Sequence, residues 1–330
     1  MSGRFRGFKQ KYKVDIENMR VKRDERKNKY LQNTRTLDIS EMFTSARDLL
    51  KEKHEFLDVS CPLLNQLLGG GLRRGAITEI CGASSSGKTQ VCLHSTASIV
   101  LQGKPVVYLQ TEGGGFPINR LEQMIQQREK MNSSFGQSSS RASTSTSSTA
   151  SASSSILSSS LDRVLVQKVV NYTQLERILD TELESIIKEK GVVLVIIDSI
   201  AAILRGDSDI KDMYQRSKLI HRIGGRLKDI SLNLNISILV VNQVSAAIDY
   251  HGFTGGRTVV PALGYLWTNY INTRLFLTKT DFVVSCSALP CLTSDTILRC
   301  LEVDFSSDIP EDFINFVVLQ SGISGIRITE

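Results

Sequence analysis

The stretch Gly82-Ala83-Ser84-Ser85-Ser86-Gly87-Lys88-Thr89 decides the fold of this chain. Its GxxxxGK[ST] spacing is typical of a loop whose backbone N–H groups surround phosphates, with Lys88 at the terminal phosphates and the Thr89 hydroxyl on Mg²⁺. A serine-rich surface loop is the alternative, but an apolar run at 76–81 predicts a buried strand before it. Apolar residues at helical spacing predict a helix after it, from Gln90 to Leu101. We therefore expect the residues from Gly82 to Gln90 to bind ATP or GTP at a helix N-terminus.

The composition is that of an ordinary globular chain. Of its 330 residues, 41% are hydrophobic and 6% aromatic, and no apolar run approaches the roughly 18 residues that span a membrane. The N-terminus is polar and basic, so we expect neither a signal peptide nor a membrane partner. The six cysteines contain no CxxC pair, which favours reduced, intracellular side chains over a disulfide framework or a zinc site.

The positive charge is concentrated in the first 35 residues. They contain twelve Lys or Arg against four Asp or Glu, an excess larger than the +6 net charge of the whole chain. Such a basic arm suits contact with nucleic acid or a nuclear address. A solvated helix or a flexible arm is an equally good interpretation.

A second break in composition runs from residue 133 to residue 160. Serine and threonine supply nineteen of these twenty-eight residues, and such a segment buries too little apolar surface to order itself. It follows a predicted helix at 118–130 and precedes a predicted strand at 163–167, which indicates a disordered surface insertion. A phosphorylated regulatory region and an unselected spacer are the two interpretations.

Apolar strands alternate with helices on both sides of that insertion. Strands are predicted at 76–81, 105–109, 163–167, 192–197, 236–241 and 274–277, and the longer helices at 118–130, 172–190 and 213–233. This alternation is typical of an α/β fold with a mostly parallel central sheet flanked by helices. Segments at 296–303 and 313–319 predict antiparallel C-terminal strands at one edge of the sheet.

Polar residues follow three of these strands, and ligands of open α/β sheets bind beyond the carboxyl ends of strands. Asp198 is suited to hold Mg²⁺ opposite Thr89, and Glu112 to orient and deprotonate an attacking water. Gln243 is suited to sense the γ-phosphate. The candidate catalytic residues are therefore Glu112, Lys88 and Gln243. An exposed loop glutamate and a structural amide cap are the alternatives for Glu112 and Gln243.

These motifs, taken in order, resemble the RecA-type recombinases. The matching stretches are GASSSGKTQ (82–90), YLQTEG (108–113), LVIIDSIAAILR (194–205), LVVNQV (239–244) and NTRLFL (272–277). A closer similarity, to the eukaryotic repair paralogs of that family, lies in CPLLNQLLGGGL (61–72), GFPINRLEQMIQQ (115–127) and PALGYLWTNYINTRL (261–275). The resemblance covers residues 42–330 apart from the serine-rich insertion and implies a RecA-like P-loop ATPase.

The resemblance implies an ATP-dependent, DNA-binding mediator of homologous recombination and double-strand break repair, acting in the nucleus and also in meiosis. ATP and Mg²⁺ are the implied cofactors, with weak DNA-stimulated ATP hydrolysis. The implied partners are another recombinase paralog in a heterodimer or larger complex, the filament of the main recombinase, and single-stranded DNA. Two alternatives are a self-polymerising strand-exchange recombinase and a non-hydrolysing repair adaptor with a vestigial site.

The family contacts a neighbouring subunit through a Phe-x-x-Ala motif, which here corresponds to Phe43-Thr44-Ser45-Ala46. The resemblance implies that Phe43 and Ala46 lie in an extended strand added to the neighbour's sheet, with the aromatic ring as anchor. The alternative is the start of an amphipathic helix in which Phe43 meets the core.

Two loops of such proteins face DNA. The first corresponds to 205–216 and the second to 246–261. Cations suit backbone phosphates and an aromatic ring suits an unstacked base, although a solvated flexible loop has a similar composition. The candidate DNA-binding residues are Arg205, Lys211, Arg216, His251, Phe253 and Arg257.

The chain also departs from the family pattern. Recombinases proper have a compact helical domain ahead of the interface segment, whereas residues 1–41 are strongly charged, which argues against autonomous strand exchange. Asn269 stands where the core recombinases have a histidine that senses the γ-phosphate. We expect a basic arm at 1–41, an interface linker at 42–60, and a RecA-like ATPase domain at 61–330, interrupted by the insertion at 133–160.

Overall fold

The computed structural model describes residues 44–49, 53–136, 156–206, 212–246, 259–286 and 294–327. The chain divides into two units, residues 1–53 and 54–330. In the first unit, the described residues include one short helix, α1 (Ala46–Leu49), preceded by Ser45, whose hydroxyl accepts a hydrogen bond from Asp48 N at 3.1 Å. The side chains of residues 44–49 are exposed.

A nine-stranded sheet forms the centre of the second unit. The described strands are β1 (Phe56–Leu57), β2 (Leu72–Arg73), β3 (Ala76–Gly82), β4 (Val106–Gln110), β5 (Val164–Lys168), β6 (Leu194–Asp198), β7 (Ser237–Asn242), β8 (Val244–Ala246), β9 (Val259–Pro261), β10 (Thr273–Val284), β11 (Thr296–Ser306), β12 (Phe313–Leu319) and β13 (Gly322–Ile326). The strand order in the large sheet is β13-β12-β11-β10-β3-β7-β6-β4-β5. Strands β1–β2 and β8–β9 form two small antiparallel pairs.

The run from β10 to β5 is parallel throughout. Every residue of β3, β4, β6 and β7 is buried, as expected for parallel strands covered on both faces. Because these strands point the same way, their carboxyl ends meet at one edge of the sheet. The predicted α/β fold with a mostly parallel central sheet is therefore confirmed.

The C-terminal strands extend the sheet in antiparallel fashion, as predicted. Strand β10 is the junction, since it pairs parallel with β3 and antiparallel with β11. It runs over twelve residues, well beyond the predicted 274–277. Strand β13 was not expected, because its two glycines weaken the apolar alternation that indicates a strand.

Helices cover both faces of the sheet. They are α2 (Pro62–Leu67), α3 (Lys88–Leu101), α4 (Ile118–Gly136), α5 (Tyr172–Arg177), α6 (Leu183–Lys190), α7 (Ile200–Gly206), α8 (Met213–Asn233) and α9 (Gly264–Thr268). A π-helical turn, Ile178–Glu182, joins α5 to α6. The two ends of the predicted serine-rich insertion are helical, since α4 reaches Gly136 and residues 156–161 form a helix. Residues 137–155 lie outside the described residues.

The apolar core consists of two layers, one on each face. Alternate residues of a strand enter opposite layers, so Tyr108 and Ile196 pack with α3 and α4, whereas Val107 and Val195 pack with α6, α8 and α9. Trp267 is fully buried in the second layer. Among the described helices, none combines the length and apolar character needed to cross a membrane.

Candidate functional site

The phosphate loop joins the central strand β3 to helix α3. Gly87 is the residue before the helix, and its φ of 117° is a conformation that side chains other than glycine rarely adopt. A Cβ added at Gly82 would lie 2.3 Å from the carbonyl oxygen of Leu277 on β10. Both glycines are therefore required by the local geometry, which leaves the N–H groups at the start of α3 open to an anion.

Lys88 lies back over this loop. Its Nζ donates hydrogen bonds to the carbonyl oxygens of Gly82 and Ala83, each at 2.8 Å. Burial lowers the pKa of Lys88, while the charges of Asp198 and Glu112 act in the opposite direction. The loop at 82–89 is thus compact, and the Lys88 ammonium lies at the opening of the cavity that it forms.

Asp198 closes this cavity from the end of β6. Its Oδ2 accepts hydrogen bonds from the Thr89 hydroxyl at 2.8 Å and from the Tyr108 hydroxyl at 2.7 Å. Burial raises the pKa of Asp198, and these two hydrogen bonds offset part of that shift. The predicted pair of Mg²⁺ residues, Thr89 and Asp198, is therefore in direct contact. Tyr108 was not predicted, because a tyrosine within an apolar strand is indistinguishable from an ordinary core residue.

Glu112 and Gln243 also meet at this edge of the sheet. Oε1 of Glu112 accepts hydrogen bonds from Gln243 Nε2 and from the Ser199 hydroxyl, both at 3.2 Å. The backbone beside it is fixed as well, because Gln110 Nε2 donates to the Glu112 carbonyl at 2.6 Å. The predicted base and the predicted γ-phosphate sensor are thus hydrogen-bonded to each other.

One cavity of about 560 Å³ joins these groups. It brings together most of the predicted nucleotide residues with Glu112, Asp198 and Gln243. The lining residues are Gly82, Ser84, Ser85, Gly87, Lys88, Thr89, Gln90, Glu112, Asp198, Gln243, Val244 and Arg299. Val244 and Arg299 were not predicted to belong to the site, and no signal in the sequence placed Arg299 near the loop.

The cavity fits a nucleoside triphosphate with Mg²⁺. The two glycines let the loop pack closely against Leu277 and Arg299, where a Cβ would not fit without a shift. The buried hydroxyl of Ser86 has no hydrogen-bond partner within the described segments. The described residues contain no cluster of three or more His, Cys, Asp or Glu suited to a metal ion. Such a cluster is unnecessary for Mg²⁺, which commonly takes one or two protein ligands together with substrate phosphates and water.

The predicted DNA-facing residues are only partly covered by the structure. Arg205 lies in α7, and its side chain is not among those described. Arg216 lies in α8, where its Nη2 donates to the Ala262 carbonyl at 3.2 Å. Lys211, His251, Phe253 and Arg257 lie outside the described residues.

The remaining predicted positions are Asn269 and the interface motif. Asn269 follows α9, is exposed, and does not line the cavity. Phe43 lies outside the described residues, and Ala46 begins helix α1. The four residues Ala46–Leu49 are therefore helical in this structure, whereas an extended strand was expected for the motif.

Comparison with known proteins was consistent with this geometry. The family model of the AAA domain matches residues 45–247, more than half of the chain. The DNA repair protein XRCC3 homolog of Arabidopsis thaliana is 26% identical over 304 residues, covering 82% of this chain and 93% of the plant protein. DNA repair protein XRCC3 of Mus musculus is 27% identical over 325 residues, covering 91% and 84%. DNA repair protein RAD51 homolog 2 of Homo sapiens is 28% identical over 253 residues, covering 68% and 61%.

Proposed function

Because the chain belongs to the AAA domain family and is a RecA-type recombinase paralog similar to these DNA repair proteins, we propose that it is an ATP-binding mediator of homologous recombination. In this role it joins another paralog, engages single-stranded DNA and supports the filament of the main recombinase. Double-strand break repair and meiotic recombination, both in the nucleus, are its proposed processes. The proposed domains are the basic arm (1–41), the interface linker (42–60) and the ATPase domain (61–330).

The observation that carries this proposal is the cavity itself. Lys88, Thr89, Glu112, Asp198 and Gln243 come from four separate segments of the chain and line the same cavity. In a vestigial site, we would not expect both carboxylates to retain their hydrogen-bond partners. The adaptor with a non-functional nucleotide site is therefore the weaker alternative.

We assign each of these cavity-lining side chains a role in the binding or hydrolysis of ATP. Lys88 and the N–H groups from Gly82 to Gln90 would hold the phosphates, and Thr89 with Asp198 would hold Mg²⁺. Glu112 is oriented by Gln243 to accept a proton from water. Bound Mg·ATP would supply a γ-phosphate, which is absent after hydrolysis to ADP.

Gln243 links this site to the loop proposed to face DNA. Its side chain donates to Glu112, while its carbonyl accepts a hydrogen bond from Ala262 N at 2.9 Å, beyond the far end of that loop. Glu112 is thus one hydrogen bond from Gln243, which precedes the loop at 246–261, and two hydrogen bonds from Ala262, which follows it. We expect ATP to act chiefly as a conformational switch, with slow hydrolysis.

The Lys88→Ala variant tests the proposal. Removal of the cation at the cavity mouth should weaken binding of a fluorescent ATP analogue by at least about tenfold, equivalent to about 1.4 kcal/mol. ATP-dependent binding of single-stranded DNA and survival of cells after double-strand breaks should decrease with it. Lys104→Ala, at an exposed lysine of the same unit, is the matched control and should behave like the wild type.

Other results would favour the alternatives. Unchanged repair in cells that carry Lys88→Ala would contradict the switch and support an adaptor. Strand exchange by the isolated wild-type chain would support a self-polymerising recombinase instead.

A further inference from the structure

Arg299 reaches the phosphate loop from a strand that the family motifs do not include. It lies on β11, in the antiparallel part of the sheet, and lines the same cavity as Lys88. Its Nε donates to the Ser86 carbonyl at 2.9 Å, and its Nη1 donates to the Ile297 carbonyl of its own strand, also at 2.9 Å. The guanidinium is therefore held in one orientation against the loop.

The contact with the loop is close. A Cβ added at Gly87 would lie 3.2 Å from Arg299 Nε and 3.3 Å from its Cδ. Gly87 thus serves two needs, since it adopts a positive φ and leaves room for the arginine. The hydrogen bonds of the guanidinium come from Nε and Nη1, and Nη2 makes none to the residues that the structure describes.

Within the ranges that the structure describes, the hydrogen bonds of Arg299 go to two backbone carbonyls and none goes to a carboxylate. Burial lowers the pKa of its guanidinium. Its register partner across the β10–β11 pair is Lys279, and like charges directly opposite each other destabilise a sheet. Arg299 is thus a cation at the cavity wall, close to a second cation, and an anionic ligand bound in the cavity would stabilise it.

From this geometry we infer that Arg299 is a further nucleotide-binding residue, which holds the phosphate loop through Ser86 and supplies a charge-assisted hydrogen bond to a phosphate of the bound nucleotide. The inference rests on the proposed function, because it concerns the same cavity. A guanidinium is well matched to phosphate oxygens. The antiparallel edge of the sheet then takes part directly in nucleotide binding.

A purely structural role for Arg299 makes a different prediction. If the residue served only to brace Ser86, a neutral donor of similar reach would replace it. The Arg299→Gln variant keeps an N–H donor but removes the charge, whereas Arg299→Lys keeps the charge. The two variants therefore separate bracing of the loop from attraction of phosphate.

The experiment measures the dissociation constant of a fluorescent ATP analogue and the melting temperature with and without ATP. For Arg299→Gln and Arg299→Ala we expect about tenfold weaker binding and a smaller ATP-induced rise in melting temperature. Arg299→Lys should lose no more than about threefold, and the melting temperatures without nucleotide should stay close to that of the wild type. Lys279→Ala is the matched control, because it removes the neighbouring cation, whose side chain does not line the cavity. For this variant we expect the dissociation constant to change by at most about twofold.

Wild-type affinity in Arg299→Gln or in Arg299→Ala would overturn the inference while leaving the proposed function intact. An equal loss in Arg299→Lys and Arg299→Gln would also overturn it, since charge would then have no part. Absence of ATP binding by the wild type would overturn the proposed function and this inference with it.

Discussion

The charge state of one histidine, His94, is set by its burial and by a neighbouring arginine. His94, on α3, is almost completely buried, and its Nδ1 accepts a hydrogen bond from Ile323 N at 2.9 Å. Burial and the neighbouring Arg128 charge hold the pKa of His94 well below its usual value. Burial also lowers the pKa of Arg128, to about 10, so Arg128 stays charged near neutral pH. The native state therefore contains a neutral histidine beside a cation.

This arrangement predicts acid sensitivity. Below about pH 6.5, the unfolded chain takes up a proton at His94 that the native state cannot accept, so the free energy of unfolding falls as pH falls. The loss approaches about 1.4 kcal/mol per pH unit from this residue alone. Denaturant unfolding between pH 5 and 8 should show a shallower loss for His94→Gln than for the wild type.

The exposed histidine His221 provides the comparison. His221→Gln retains the buried His94 and should keep the wild-type loss of stability on acidification. Parallel pH curves for the wild type and His94→Gln would show that the acid sensitivity arises elsewhere.

At the scale of elements, the C-terminal hairpin β12–β13 is attached to α4 and, through it, to α3, the helix that follows the phosphate loop. Arg128 on α4 donates to the Ser321 carbonyl at 2.7 Å. Arg120, on the same helix, donates to the Gln320 carbonyl at 3.1 Å and to the Gln90 side chain at 2.9 Å. The turn of the hairpin is thus connected to the first turn of α3, next to the loop.

Gly322 makes this attachment possible, and its replacement by alanine should disrupt it. Its φ is 117°, and an added Cβ would lie 2.4 Å from His94 Nδ1 and 2.9 Å from Arg128 Nη2. Backbone strain and overpacking together should cost roughly 2–4 kcal/mol in the free energy of unfolding. Denaturant titration of Gly322→Ala at neutral pH measures this loss.

Gly103→Ala is the matched control for that substitution. Gly103 also has a positive φ, of 80°, but an added Cβ would have no heavy atom within 4 Å. Only backbone strain applies at Gly103, so we expect the free energy of unfolding to fall by about 1 kcal/mol. Equal losses at the two glycines would contradict the close packing around Gly322.

At the scale of the whole molecule, a buried polar cluster joins the parts of the sheet that surround the site. Glu79 on β3 is fully buried, and its Oε1 accepts hydrogen bonds from Asn242 Nδ2 and Trp267 Nε1, each at 2.8 Å. Arg274 on β10 forms an ion pair with the same carboxylate. The cluster fixes the strand before the phosphate loop against the strand before Gln243 and against the helix that follows the proposed DNA loop.

The proposed subunit contact belongs to the same scale. We expect Phe43→Glu to abolish co-purification with a paralog partner, because a charge in place of the aromatic anchor cannot fill an apolar pocket. The thermal unfolding of the ATPase domain should be unchanged. The measurement is pull-down from a co-expression of the chain with candidate paralogs.

Phe282→Glu serves as the control, since Phe282 is 73% exposed on β10. This variant should retain the partner. An intact complex after Phe43→Glu would refute the assignment of the Phe-x-x-Ala motif as the contact.

Local patterns in the sequence were enough to predict the phosphate loop, the parallel sheet and the strand ends that place Glu112, Asp198 and Gln243. These follow from local periodicity and from the rule that parallel strands place their carboxyl ends together. Contacts between strands distant in the sequence were decided only by the tertiary structure. The β10–β11 register carries Arg299 to the loop, and the order of β4 and β6 places Tyr108 on Asp198. Such contacts depend on strand order and register, which no local pattern of side chains specifies.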